Sequence, residues 1–187
     1  MQKEFAIVFK ALEFAAERHK DQKRKGIQKR PYINHPIKVV SILTQHQEMD
    51  PALLSAAALH DVIEDTAQSK PEKKRLADII SDYFGKFVAD VVLEVSDDKS
   101  LSYQERKKLQ IIHTPFISDH AKKIKIADKT TNIEDLLTDP PENWPAERKT
   151  QYLEWAVKVI SGARGVNHSL EKHFDSVIEY AMKELNI

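Results

Sequence analysis

Cysteine is absent from the 187 residues, which excludes a disulfide framework and thiolate metal ligands and leaves His, Asp and Glu to hold any ion. That absence fits a reducing compartment, and the cytoplasm is the expected location. Glycine occurs only four times. Its scarcity, with many Ala, Leu, Glu and Lys and apolar residues recurring every three or four positions, predicts an all-α fold. Long uncharged runs are also missing. The N-terminal stretch "MQKEFAIVFKALEFAAERHK" carries charges at helical spacing, so it reads as neither signal peptide nor membrane span. Finally, there is no excess of either charge, with 29 basic against 29 acidic residues. The molecule as a whole is therefore expected to bind neither nucleic acid nor membrane, and any polyanion site must be local.

What is present describes one globular domain spanning residues 1–187, since 41% hydrophobic and 31% charged residues give a core and a solvated surface. No repeat, low-complexity tract or linker divides the chain. Phe5, Val8, Phe9, Leu12 and Ala16 predict a first helix over about 3–20. The basic loop "HKDQKRKGIQKRPYINHP" follows, and Pro36 suits the first position of the next helix. Asp50 and Pro51 then predict the cap and first residue of a third helix reaching about Asp65. Residues 74–95 form one helix or two, according to whether Gly85 interrupts them. A basic helix comes after "SDDKSLSYQ", and further helices are expected over about 119–137, 146–162 and 167–186. The three prolines of "TDPPENWPAER" make that segment irregular.

Within the third helix, "AALHDVIEDT" gathers His60, Asp61, Glu64 and Asp65 at the end where the macrodipole disfavours negative charge. Helical spacing places His60 over Glu64 and Asp61 over Asp65. An exposed acidic end beside Lys70, Lys73 and Lys74 is one reading. The other is a divalent cation, because the cluster abuts the apolar run "LLSAAAL" and buried carboxylates need a metal or a cationic partner. His35, just before Pro36, can project from a loop junction, and Asp128 interrupts the apolar stripe of "IKIADK". Pairing with Lys125 or Lys129 is the simpler account of Asp128. The six histidines at 19, 46, 113, 120, 168 and 173 have no comparable carboxylate arrangement.

His35, the "HD" at 60–61 and Asp128 together resemble the HD-domain metal phosphohydrolases. The segments "HKDQKRKG", "PYINHP", "AALHDVIEDT", "FGKFVADVVLEVSDDKS", "ERKKLQ", "AKKIKIADKTTN" and "ERKTQYLEWAVKV" resemble, in that order, the hydrolase domain of RelA/SpoT homologues, and within it the small single-domain alarmone hydrolases. The likeness extends over about residues 5–175. It implies an HD-type helical bundle of roughly eight to ten helices. It also implies one Mn²⁺ per chain on His35, His60, Asp61 and Asp128, with Glu64 and Asp65 as the catalytic carboxylates. The implied substrate is a hyperphosphorylated purine nucleotide of the stringent response, guanosine 3′,5′-bis(diphosphate) or its pentaphosphate, cleaved to pyrophosphate and GDP or GTP. By the same resemblance Arg24 and Lys25 meet phosphates, Tyr32 lines the nucleoside pocket, and Asn132 meets the ribose or 3′-phosphate. Arg148 and Tyr152 of "ERKTQY", four apart, are expected to contact the far end of the nucleotide. A homodimer is compatible with the family.

The residue types agree with that chemistry, since two imidazoles and two carboxylates suit Mn²⁺, although affinity order alone also admits Fe, Co or Zn. Two features depart from the family pattern. "GIQKR" lengthens the basic loop, so Lys29 or Arg30 can replace or supplement Arg24 and Lys25, and "KTTN" lacks the aromatic or histidine usual before the Asn. Alternatives are therefore an adenosine alarmone hydrolase, an NADPH 2′-phosphatase of the same fold, a non-catalytic alarmone sensor, and a helical interaction module.

Overall fold

The computed structural model describes residues 2–186, with side-chain surroundings defined over 5–186. Ten α-helices occur among them: α1 (Gln2–Arg18), α2 (Asn34–Gln45), α3 (Pro51–Leu59), α4 (Val62–Thr66), α5 (Lys70–Phe84), α6 (Lys86–Val95), α7 (Tyr103–His113), α8 (Asp119–Thr138), α9 (Ala146–Ser161) and α10 (His168–Glu184). A 3-10 turn at Thr114–Phe116 links α7 to α8. No strand forms among the described residues, and isolated bridges Lys23–Pro31 and Gly26–Pro141 tie down the loop after α1. This is the all-α bundle that scarce glycine and helical periodicity predict.

Side-chain oxygens fix five of the helix starts by accepting otherwise orphaned N–H groups. Asp50 accepts from Ala52 N–H at 2.9 Å and Pro51 sits in the first turn of α3. Ser69, Ser102, Ser118 and Asn167 play the same role for α5, α7, α8 and α10. Gly85 takes φ +94° between α5 and α6, a conformation costly for any residue with a Cβ, so residues 74–95 fall into two helices.

Two boundaries differ from the sequence expectation. Helix α2 begins at Asn34, so Pro36 lies inside the first turn, where its missing N–H costs nothing. The third helix stops at Leu59, and a separate short helix carries Glu64 and Asp65 in its first turn. Asp61, at φ −95° and ψ −8°, turns the chain between them. The carboxylates therefore do not crowd the end of one long helix.

Helix α3 is apolar all round and is the pillar of the bundle, as such a helix must be. Leu53 to Leu59 are all buried, and α1, α2, α6 and α8 pack around it. Helix α8 lies across α2, α6, α9 and α10. It buries Ile124, Ile126, Ile133 and Leu136, and also Lys125, Lys129, Thr130 and Thr131. Lys125 and Lys129, one turn apart with Asp128 beside them, lie on the face turned toward the site. The site lies where the start of α2, the end of α3 and the middle of α8 converge.

Candidate active site

His35 comes from α2, His60 and Asp61 from the α3–α4 junction, and Asp128 from α8. His35 Nε2 lies 3.1 Å from Asp128 Oδ1 and 3.5 Å from Asp61 Oδ2. His60 Nε2 lies 3.0 Å from Asp61 Oδ2 and 3.9 Å from Asp128 Oδ1. Ligand atoms of His35, His60 and Asp128 fall within 4.8 Å of one another. Asp61 approaches both imidazoles but stands outside that three-residue set.

The donor chemistry fits a divalent cation. His60 places Nδ1 2.8 Å from the carbonyl of Ala57, so Nδ1 carries the hydrogen and the Nε2 lone pair points into the site. That buried Nε2 has no hydrogen-bond partner, its approach to Asp61 being close but misaligned. Without an ion, burial works against charge on His60, yet Asp61 and Asp128 outweigh it and raise its pKa to about 9. The aspartates thus attract positive charge to one point, and a metal would compete with the proton there. Burial likewise opposes ionisation of Asp61 and Asp128. His60 holds the first below the usual carboxylate range, and Lys129 with His35 holds the second far below it.

Each carboxylate also accepts a hydrogen bond from a neighbouring side chain on the oxygen that faces the imidazoles, as metal ligands commonly do. The Tyr32 hydroxyl donates to Asp61 Oδ2 at 2.7 Å. Asp128 accepts from Asn132 Nδ2 at 2.6 Å and from Lys129 Nζ at 2.7 Å. Pairing with Lys129, the simpler account of Asp128, is therefore real, but it uses Oδ2 and leaves Oδ1 toward the imidazoles.

Glu64 and Asp65 lie beside this centre and have different surroundings. Glu64 Oε2 accepts the backbone N–H of Asp97 at 2.8 Å, and Arg106 Nη1 stands 3.8 Å from Oε1. Burial first, then the charges of Asp61 and Asp97, raise its pKa to about 7. A carboxylate poised near neutrality is suited to proton transfer. Asp65 is instead tied by an ion pair to Lys99.

A cleft of about 740 Å³ opens above these groups. Lys25 and Arg30 line it, as do Trp144, Tyr152 and Trp155. An inner chamber of about 140 Å³ holds the proposed ligands, and Glu64, Gln110 and Asn132 line both spaces. Tyr152 and Asn132 are thus placed to meet a nucleotide. Arg148 does not line the cleft; its guanidinium rests 4.6 Å from the ring centre of Trp144. Lys29 is exposed at φ +49° and does not line the cleft, whereas Arg30 does, braced by Gln28 Oε1 at 2.9 Å and by Asp139.

Arg24 and Tyr32 line the cleft but are engaged by the protein. Arg24 bonds Asp135 Oδ2 at 2.9 Å and Asn132 Oδ1 at 2.7 Å, which occupies both ends of the Asn132 amide. Tyr32 is held between the Arg24 guanidinium and the stacked ring of His19, 4.7 Å away. Sequence reasoning passed over His19, Asp97, Lys99 and Arg106. His19, between Glu17 and Asp21, had no carboxylate arrangement around it in sequence that demanded more than a polar surface or a capping role. The motif "SDDKS" that carries Asp97 and Lys99 is the signal that was available.

An HD domain matches residues 11–156, and the chain belongs to the HD-domain family. It is 44% identical over 176 residues to the guanosine-3′,5′-bis(diphosphate) 3′-pyrophosphohydrolase MESH1 of Xenopus tropicalis, covering 94% of each chain. Its identity to the human protein of the same name is 42% over 173 residues, with 92% and 93% covered. A solved structure, described as a metazoan ortholog of SpoT that hydrolyzes ppGpp, superposes with a TM-score of 0.85 at 42% identity. That superposition covers 94% of this chain and 95% of the other. A Listeria monocytogenes structure at 24% identity and TM-score 0.61 shares the fold.

Proposed function

We propose that residues 1–187 form one catalytic unit that hydrolyses the 3′-pyrophosphate of guanosine 3′,5′-bis(diphosphate) and its pentaphosphate, using one Mn²⁺ on His35, His60, Asp61 and Asp128. The observation that carries the proposal is the convergence of two imidazoles and two carboxylates beside a cleft lined by Lys25, Arg30 and other cations. The relatives' names supply the substrate.

When bound, the ion polarises the phosphoryl oxygen and lowers the pKa of water. Glu64 takes the proton of the attacking water as the water oxygen bonds to the 3′-phosphorus and the bond to the 3′-oxygen breaks. That proton returns through solvent to the leaving 3′-oxygen. Asp65, anchored by Lys99, helps orient the water. Lys25 and Arg30 receive the outer phosphates, Asn132 the ribose side, and Tyr152 and Trp144 the base. Arg24 and Tyr32 hold Asn132 and Asp61 in place.

Incubating the protein with Mn²⁺ and a panel of guanosine and adenosine 3′,5′-polyphosphates and NADPH tests the reading. Pyrophosphate release from the guanosine compounds is expected; orthophosphate alone, or no product, overturns it.

A further inference from the structure

Two lysines of α8 are buried beside the candidate metal centre, and only one has a partner. Lys129 is 2.7 Å from Asp128 Oδ2 and lies over the Trp155 ring at 5.0 Å. Lys125, one turn earlier, is 7% exposed and lines the inner chamber with Glu64, His60 and Asp128. Among the described residues, no hydrogen bond or ion pair reaches its ammonium. Asp97, Asp128 and Glu64 lie near enough to act through space, none within ion-pair distance.

Holding an ammonium without an ion-pair partner in a narrow chamber strips part of its hydration and costs stability, and an apolar side chain of equal length would remove that cost. A fold that keeps such a group gains something other than stability from it. The chamber that Lys125 faces is where the scissile phosphate must enter to lie beside Glu64, and its proposed ligands and base are otherwise dominated by carboxylates. Phosphoryl transfer depends on cations placed at the equatorial oxygens. Burial, and then the neighbouring charge of Lys129, lower the Lys125 pKa, so an incoming anion would reinforce its charge.

We propose that Lys125 is a catalytic residue whose ammonium binds a non-bridging oxygen of the 3′-phosphorus under attack. The inference rests on the hydrolase reading above. The bond between water oxygen and phosphorus forms, the bond to the 3′-oxygen breaks with its electron pair leaving on that oxygen, and the water proton goes to Glu64. Lys125 keeps its three protons throughout and supplies positive charge.

Lys125→Met separates this role from a structural one. The expected result is a kcat reduced about 100-fold, the scale on which removing one transition-state donor acts, with unchanged ion stoichiometry and an equal or higher Tm. Turnover within threefold of the unsubstituted protein overturns the proposal, as does activity loss matched by loss of the ion or of folding. Because the chain contains no cysteine, Lys125→Cys can also be alkylated at one position while unfolded and then refolded. Bromoethylamine, which restores an ammonium, is expected to recover turnover, and a neutral alkylating agent is not. Equal recovery by both, or by neither, rejects Lys125. The unsubstituted protein run alongside tells that failure apart from failure of the hydrolase reading.

Discussion

The Tyr32 hydroxyl donates a 2.7 Å hydrogen bond to Asp61 Oδ2, the same oxygen that lies 3.0 Å from His60 Nε2. Burial and then the Asp61 charge push the Tyr32 phenol well above its ordinary pKa, so it acts as a donor at every working pH. A phenol that aims a candidate ligand tunes the metal without touching it. Tyr32→Phe is therefore expected to weaken Mn²⁺ binding by about 10–100-fold, the range found for second-layer partners, with turnover recovering at high Mn²⁺. Titration calorimetry on both proteins checks it, and equal affinities reject the role.

Glu64 gives the pH dependence. Its pKa is raised to about 7 because burial and the neighbouring carboxylates Asp61 and Asp97 penalise its charge. A base acts only when ionised, so kcat/KM at saturating Mn²⁺ is expected to fall about tenfold per unit on the acid side. A cation bound nearby would favour the ionised form, so the expected midpoint lies at or below about 7. Stability moves the other way, since an acid whose folded pKa is raised loses stability as pH climbs from its unfolded value through the folded one. Glu64→Gln should then lower kcat by about 10²–10⁴-fold while raising Tm at pH 8. A flat rate profile from pH 5 to 8 would remove Glu64 as the base.

Removal of the ion tests the centre as a whole. An ion bound to the folded state alone at 100 times its Kd stabilises by about 2.7 kcal/mol, which for a chain of this size corresponds to about 5–10 °C in Tm. Chelation is expected to lower Tm on that scale and abolish turnover, and one equivalent of Mn²⁺ per chain to restore both. A Tm indifferent to chelator and ion means that His35, His60, Asp61 and Asp128 hold no metal.

Much of this was legible in the sequence, and the residues show why the rest was not. Local chemistry is readable, so Asp50 with Pro51 and Gly85 mark their boundaries correctly. The break at His60–Asp61 is not readable, because both residues keep near-helical dihedrals and only a modest change in ψ at Asp61 separates α3 from α4. Partners distant in sequence are harder still. Tyr32 meets Asp61 across 29 positions and Arg24 meets Asp135 across 111, and nothing in spacing encodes either. A motif names the residue types a site uses. The packing of α8 against α2 and α3 decides which of them face the substrate and which hold one another.

Arg24 shows the difference in a measurable way. As a phosphate contact it would affect KM; as the group that holds Asn132, and through it Asp128, it affects the metal. Arg24→Met is expected to weaken Mn²⁺ affinity about tenfold, the lower end for such second-layer groups, with Lys38 still 2.6 Å from Asp135 to keep that carboxylate paired. A KM increase with ion affinity intact would return Arg24 to the phosphate.

The basic loop is tested at Gly26. Its backbone packs against Asp139 so closely that an added Cβ would lie 2.3 Å from the Asp139 carboxyl carbon. The same Asp139 accepts the Gln28 N–H at 3.0 Å and faces Arg30 at 3.8 Å, so one side chain anchors the whole loop. Gly26→Ala must displace either the loop or the end of α8, a change in packing that costs about 1–3 kcal/mol. Because Lys25 and Arg30 ride on the loop while Glu64 and the proposed ligands do not, KM for the guanosine substrate is expected to rise several-fold with kcat held within twofold. The effect should be larger for the pentaphosphate, whose additional charge needs the cationic rim most. Steady-state kinetics on both nucleotides decide it: a fall in kcat with KM unchanged would place the loop in the chemistry and not in phosphate binding.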